Sequence, residues 1–274
     1  MFLVNGQPEE TISLLDRGFQ YGDGLFETIA MDNKKPLNWD RHLGRLQEGC
    51  ERLRISCPSG EVLLGDIDKL DVPGARSVLK IIVTRGQGGR GYGPPGRGCR
   101  STVVHGVYPW PDYPPENSRG GVVARFCNFR LGINPELAGI KHMNRLEQII
   151  ARSEWDEPGI AEGIMLDTCD RVIEGTMSNL FIVRDGKLLT PNLENCGVSG
   201  ITRASILDAA QKMKIPARIT TLHINDLYSA DELFLCNSIL GIWSIRELDN
   251  HKYTDFSCAQ TIRNDLLEHS LILA

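Results

Sequence analysis

The stretch PWPDYPPENSRG, residues 109–120, packs four prolines into twelve positions and offers few side chains suited to a core. Proline fixes φ and removes a backbone donor, so such a run neither propagates a central strand nor fills a helix interior. It reads as a linker. The 274-residue chain is therefore expected to hold a first domain over 1–110, a proline-rich linker over 111–120 and a second domain over 121–274.

On the N-terminal side, strands are predicted at 2–5, 24–31, 77–84 and 101–108, with a turn at DNKKP (32–36). Between them Leu43, Leu46, Cys50 and Leu53 recur at helical spacing, which predicts a helix over 39–54 with Arg41, Arg45, Glu48 and Arg52 on its polar side. A shorter helix is predicted over 61–70. The loop RGQGGRGYGPPGRGCR, residues 85–100, holds seven glycines in sixteen residues and cannot be a regular element. On the C-terminal side strands are predicted at 122–127, 163–167, 179–184, 218–223, 231–236 and 242–246, with a hairpin turn at Asp185-Gly186. Helices are predicted over 202–213 and at the end of the chain. Strands mixed with helices, without a regular β-α alternation, make the fold class α+β.

The composition bounds function. With 41 % hydrophobic residues the chain can bury a core, and a net charge of −5 gives no reason to expect nucleic acid or an anionic membrane surface as partner. The opening MFLVNGQPEE lacks the basic start and long apolar run of a secretion signal, and no segment has the length of a membrane span. Eight cysteines are scattered without a CxxC pair. They read as reduced thiols of a cytoplasmic protein, with no metal site.

Chemistry is carried by a few positions. GIKHMNRLEQII, residues 139–150, reads as an amphipathic helix with Lys141 at its mouth. A helix N-terminus disfavours an ammonium, and Arg145 one turn later adds a like charge, so the amine is expected to be neutral enough to attack a carbonyl. The alternative is an exposed lysine ahead of a helix whose Met143, Leu146, Ile149 and Ile150 are plain core. CGVSGITR, residues 196–203, opens a helix with glycines and a hydroxyl, the way backbone N–H groups gather round a phosphate, or else Ser199 is only an N-cap. Arg45 is a ligand or a solvated surface arginine. Glu174, in RVIEGTMSNLF, faces water or pairs with a protonated ring nitrogen. Together a lysine, a phosphate cradle, an arginine and an acid meet the needs of pyridoxal 5'-phosphate.

In this order, DRGFQYGDGLFETI, HLGRL, AGIKHMNRLEQ, EGTMSNLF, GVSGITR and FLCNS resemble the branched-chain and D-amino acid aminotransferase-like family of pyridoxal-phosphate enzymes. The resemblance runs from residue 2 to beyond residue 240. It implies the two-domain fold of that family, Lys141 as the Schiff-base lysine, Arg45 as the phosphate arginine and Glu174 as the acid at the pyridine nitrogen. Gly200, Ile201 and Thr202 match the phosphate loop. Asn237 stands where relatives often carry a threonine that reaches the phosphate, and Arg90 and Tyr92 stand where D-amino acid transaminases hold a substrate carboxylate. Phe26 replaces a tyrosine those transaminases use. RGQGGRGY, LAGIKHMNRLEQ and MFLVNG look closest to a lyase branch that turns 4-amino-4-deoxychorismate into 4-aminobenzoate and pyruvate. For that dicarboxylate, Arg85, Arg90, Arg97 and Arg100 in and beside the glycine-rich loop are candidate grips, or else the loop is simply basic and solvated. The alternatives are amine transfer on the same scaffold, or a metabolite-binding protein without catalysis. The family resemblance further implies a homodimer.

Overall fold

The computed structural model describes residues 1–96 and 99–273, so Arg97 lies outside the described residues. The chain divides into two compact units, Met1–Pro111 with Ile140–Asn144, and Asp112–Gly139 with Arg145–Ala274.

The first unit contains, in chain order, β1 (Phe2–Val4), β2 (Gln7–Pro8), α1 (Arg17–Tyr21), β3 (Gly24–Asp32), β4 (Lys35–Pro36), α2 (Trp39–Leu53), α3 (Gly60–Asp68), β5 (Arg76–Thr84) and β6 (Thr102–Pro109). Its strands form one antiparallel sheet in the order β2-β1-β6-β5-β3-β4. Along β5, Ser77, Leu79, Ile81 and Val83 are buried while Val78, Lys80 and Ile82 are less so, the two-residue period of a strand with one face on a core. Helix α2 buries His42, Leu46, Gly49 and Cys50. At Gly49 an added Cβ would lie 2.7 Å from Leu25 Cδ2, so this glycine lets the helix close on β3.

The segment 140–144 corrects a sequence-based expectation. It is no part of a helix. Leu25 and His142 form an antiparallel bridge, the Phe26 N–H donates to the Lys141 carbonyl at 2.9 Å, and the Met143 N–H donates to the Gly24 carbonyl at 3.0 Å. The chain here is an extended strip alongside β3, because pairing with a sheet edge satisfies its backbone in a way that overrides the helical spacing of its apolar residues.

The second unit contains α4 (Pro115–Arg119), β7 (Val122–Leu131), α5 (Leu146–Arg152), β8 (Ile160–Asp167), β9 (Val172–Gly175), β10 (Asn179–Arg184), β11 (Lys187–Pro191), α6 (Ile201–Lys212), β12 (Ala217–Thr220), α7 (Ile224–Tyr228), β13 (Glu232–Asn237), β14 (Gly241–Leu248), β15 (His251–Lys252) and α8 (Ser257–Glu268). The sheet runs β12-β11-β10-β13-β14-β7-β8-β9, with β15 paired to β14. It is mixed: β11–β12, β14–β7 and β7–β8 are parallel and the other pairs antiparallel. The central strands β10 and β13 are buried almost throughout, which explains their continuous apolar runs. Phe181 and Phe234 stack at 5.2 Å, and Ile206, Ile262 and Leu266 of α6 and α8 join the same cluster. The Asp185-Gly186 turn has positive φ at both residues, as a two-residue hairpin requires. In the proline-rich stretch Tyr113 packs edge-on against Trp243 at 4.9 Å, so not all of it lacks packing. Among the described residues no helix is long and apolar enough to cross a membrane.

Candidate active site

In the first unit the candidate residues gather on α2, β3 and the 140–144 strip. Lys141 is half-buried, its backbone carbonyl held by the Phe26 N–H and its Nζ 4.6 Å from the centre of the Phe26 ring. Lys80 Nζ lies 5.3 Å from the same ring. The helix-mouth argument for a reactive amine therefore falls, since α5 begins only at Leu146. Arg145 caps that helix within the second unit, where its charge interacts with Glu174. The side chains expected as helix core, Leu146, Ile149 and Ile150, are exposed, Leu146 by 71 %.

Arg45 is not on a solvated face. Glu27 alternates with Leu25 and Ile29 on the buried side of β3, and α2 lies over that side. Arg45 donates to it from Nε at 2.9 Å and from Nη2 at 2.5 Å, and His42 Nδ1 stands 2.6 Å from Glu27 Oε2. Burial works against the Glu27 anion, yet the charge of Arg45 and the hydrogen bonds from His42 and Arg45 prevail and hold its carboxyl down at about 2. Burial is also the main reason that His42 titrates below its usual value; Glu27 opposes this, while Arg45 and Lys141 reinforce it. Neither Glu27 nor His42 was picked out from sequence. A carboxylate at the core-facing position of an otherwise apolar strand was the available signal.

In the second unit Glu174 is buried at the end of β9. Its Oε2 accepts from the Val198 N–H at 2.8 Å and from Asn179 Nδ2 at 3.4 Å, and Asn179 Nδ2 also donates to the Val198 carbonyl at 2.9 Å. Gly197, at φ 87°, makes room for this: a Cβ there would lie 2.8 Å from Ile173 Cγ2 and 3.3 Å from Glu174 Oε2. Gly139 pins the same loop, donating to the Gly197 carbonyl at 2.9 Å and accepting from the Ser199 N–H at 3.0 Å. Glu162, another residue the sequence reading missed, is buried and accepts from Thr176 Oγ1, Ser178 Oγ and the Thr176 and Met177 N–H groups, which folds the turn after Glu174.

Gly200 is the N-cap of α6 and offers no side chain to the first turn. A Cβ at Gly200 would collide with Asn179 Oδ1. Thr202 is buried, and its Oγ1 has no hydrogen-bond partner among the described residues. Arg203 turns away, donating to Thr190 Oγ1 at 3.1 Å and the Pro191 carbonyl at 2.9 Å. A buried hydroxyl without an acceptor, beside the uncapped first turn of a twelve-residue helix, is a set of donors suited to an anion. Asn237 is occupied otherwise: Nδ2 donates to the Met177 carbonyl at 2.9 Å, and Oδ1 accepts from the Ile239 and Leu240 N–H groups at 2.8 Å each.

Arg90 and Tyr92 are exposed on the glycine-rich loop, Tyr92 by 87 %. Arg85, one of the candidate grips, is instead a structural tie. It donates from Nε and Nη2 to the Asp23 carboxylate and from both Nη atoms to the Leu53 and Arg54 carbonyls at the end of α2.

Pyridoxal 5'-phosphate fits these groups. Within the second unit, the unpartnered hydroxyl of Thr202 and the uncapped first turn of α6 suit its phosphate, and the Glu174 carboxylate suits a protonated ring nitrogen.

The chain is 38 % identical to the aminodeoxychorismate lyase of Vibrio harveyi, over 88 % of this chain and 89 % of that protein. It is 28 % identical to the D-alanine aminotransferase of Listeria innocua serovar 6a, over 90 % and 86 %. The crystal structure of 4-amino-4-deoxychorismate lyase from Pseudomonas aeruginosa superposes with a TM-score of 0.94 and 42 % identity, covering 99 % of this chain and all of that one (100 %). With the class IV aminotransferase ("Amino-transferase class IV") profile matching residues 24–248, this α+β chain belongs to that family of enzymes, and its cofactor is pyridoxal 5'-phosphate.

Proposed function

We propose that the chain is a lyase that converts 4-amino-4-deoxychorismate into 4-aminobenzoate and pyruvate, and so supplies the aromatic amine for folate. The observation that carries this reading is near full-length similarity to two lyases of that name, at 38 % and 42 % identity, in a chain that retains Lys141, Arg45 and Glu174.

When bound, pyridoxal phosphate supplies an electron sink conjugated to the amine-bearing carbon of the substrate. Lys141 Nζ takes the proton from that carbon. Loss of the neighbouring enolpyruvyl oxygen then leaves an aromatic ring, and the departing fragment gains a proton at its methylene carbon to become pyruvate. Glu174 would keep the ring nitrogen of the bound cofactor protonated, while the Val198 N–H and Asn179 orient the carboxylate. Gly200, Ile201 and Thr202 would hold the phosphate through backbone N–H groups and the Thr202 hydroxyl, with Arg45 reaching the same anion; Asn237, whose amide already bonds Met177, Ile239 and Leu240, is assigned there by the family resemblance alone. Arg90 and Tyr92 meet the substrate carboxylates.

The working unit in this reading is a cytoplasmic homodimer. Exposed apolar side chains support the dimer: Leu14, Leu15 and Phe19 in the first unit, and Leu146 and Ile149 in the second, are each more than half exposed. All eight cysteines are unpaired, which supports a reducing compartment.

The test is direct. Purified protein given 4-amino-4-deoxychorismate should release 4-aminobenzoate and pyruvate in equal amounts, and borohydride reduction should place the cofactor label on the peptide carrying Lys141. Transfer of an amine from D-alanine to a keto acid, without 4-aminobenzoate formation, would replace the lyase by a transaminase. No label at all would leave only a binding protein.

A further inference from the structure

The motif DRGFQYGDG finds no role in the chemistry above, yet its Arg17 is 97 % shielded from solvent (3 % exposed) and makes polar contacts in three directions. Nε donates to Asp23 Oδ2 at 2.8 Å, Nη1 to the Gly91 carbonyl at 2.9 Å and Nη2 to the Tyr92 carbonyl at 3.3 Å. Its guanidinium also lies 4.9 Å from the centre of the Tyr21 ring. Tyr21 repeats the grip, its hydroxyl accepting from the Gly91 N–H at 3.2 Å and its ring meeting Tyr92 edge-on at 5.7 Å.

The loop is shaped to receive this arginine. A Cβ on Gly88 would lie 2.7 Å from Arg17 Cδ, so only glycine lets the loop lie flat on that side chain. Gly91 turns at φ 85°, a conformation that presents its carbonyl and that of Tyr92 to the guanidinium. The backbone adds two bonds, from the Arg17 N–H to Gly86 at 2.9 Å and from the Gly88 N–H to Leu15 at 3.2 Å. Asp23 shares its carboxylate between Arg17 and Arg85, which anchors the clamp to the end of α2. Arg90 stands between these fixed points and is otherwise on an exposed loop.

We propose that Arg17 is a positioning residue for substrate recognition: by holding the Gly91 and Tyr92 carbonyls it fixes the backbone on which Arg90 is presented to a substrate carboxylate. The proposal rests on the reading of Arg90 as a carboxylate grip. Arg17 touches no reacting atom; it sets how much conformational freedom the loop loses when substrate arrives.

The experiment compares Arg17→Met, Arg17→Lys, Arg90→Met and the Arg17→Met/Arg90→Met double variant as holoenzymes. Arg17→Met is expected to raise KM for 4-amino-4-deoxychorismate about tenfold with kcat changed less than about threefold, because affinity and not chemistry is affected. Trypsin cleavage of the Arg90–Gly91 bond, followed by fragment mass, should accelerate about tenfold as the loop loosens. Arg17→Lys, which keeps the charge facing Asp23 but not the forked donors, should fall between. In the double variant KM should be no worse than in Arg90→Met. Unchanged cleavage in Arg17→Met, an unchanged KM there while Arg90→Met raises KM, or additive losses in the double variant would each overturn the clamp. An unchanged KM in Arg90→Met would overturn the carboxylate reading itself and the proposal with it.

Discussion

Arg45 meets Glu27 through a forked pair of hydrogen bonds, Nε to one carboxylate oxygen and Nη2 to the other, on the core-facing side of β3. The geometry holds the guanidinium plane still, and His42 completes the cluster at 2.6 Å. The arginine proposed for the phosphate is thus held in one orientation by a buried acid.

Removing that acid should be costly. Glu27→Ala removes the carboxylate facing a largely buried arginine and is expected to destabilise the protein by about 3 kcal/mol in denaturant unfolding. Arg45→Ala should show a further loss, of cofactor retention, worth about 1.5–3 kcal/mol. The Glu27 carboxyl, at about 2 against an ordinary 4.5, is depressed in the folded state, so its contribution is present above pH 4.5 and lost as pH falls toward 2. An acid limb of stability unchanged in Glu27→Gln would contradict this.

Thr202→Val separates cofactor binding from folding. Its hydroxyl is buried and unpaired among the described residues, so the apo-protein should keep or gain melting temperature while the dissociation constant for pyridoxal phosphate rises roughly tenfold. Thermal melts and cofactor titration on the same preparation give both quantities.

Gly197→Ala places a methyl among Ile173, Leu193 and Glu174 at a positive φ. A loss of about 1–3 kcal/mol is expected, with displacement of the Val198 N–H from Glu174. The visible absorbance of bound cofactor should shift, since the acid proposed to face the ring nitrogen loses a fixed donor. A normal spectrum in a destabilised variant would show that Val198 does not tune Glu174.

His105 lies wholly buried in β6, with neither ring nitrogen hydrogen-bonded among the described residues. Burial lowers its pKa below 6.5, with Asp66 at 3.8 Å opposing and Lys69 assisting. Because the folded value is the lower one, stability is full above pH 6.5 and declines as pH falls below it, with a slope of up to about 1.4 kcal/mol per pH unit. His105→Leu should flatten that slope between pH 6.5 and 5 in equilibrium unfolding.

Much of this fold is legible in the primary structure wherever one face of an element is buried and the other is not. The alternation in β5, the three- and four-residue steps of α2 and the Asp185-Gly186 turn each carry a local signature that tertiary packing reinforces. Residues 139–150 mislead because Met143, Leu146, Ile149 and Ile150 imitate a helix stripe, whereas 140–144 pair with β3 and Leu146, Ile149 and Ile150 face outward. Short pieces such as α1 and β9 span less than two turns or no more than two pleat repeats, too little for a period to register. The chemical residues proposed for the site were legible by type, but Glu27, Asn179 and Glu162 were not. Their contributions come from partners 18, 5 and 14–16 residues away, which no local pattern records.

Asn179 has a wider implication. One amide bonds to Glu174, to the carbonyl of Val198 and, through its oxygen, abuts Gly200. In the proposed site, electronic tuning at one end of the vitamin and mechanical grip at the other would therefore be cut from a single block. Anyone retooling this scaffold for an altered coenzyme would have to shorten residue 179 before enlarging residue 200, and would find that neither end can be adjusted alone.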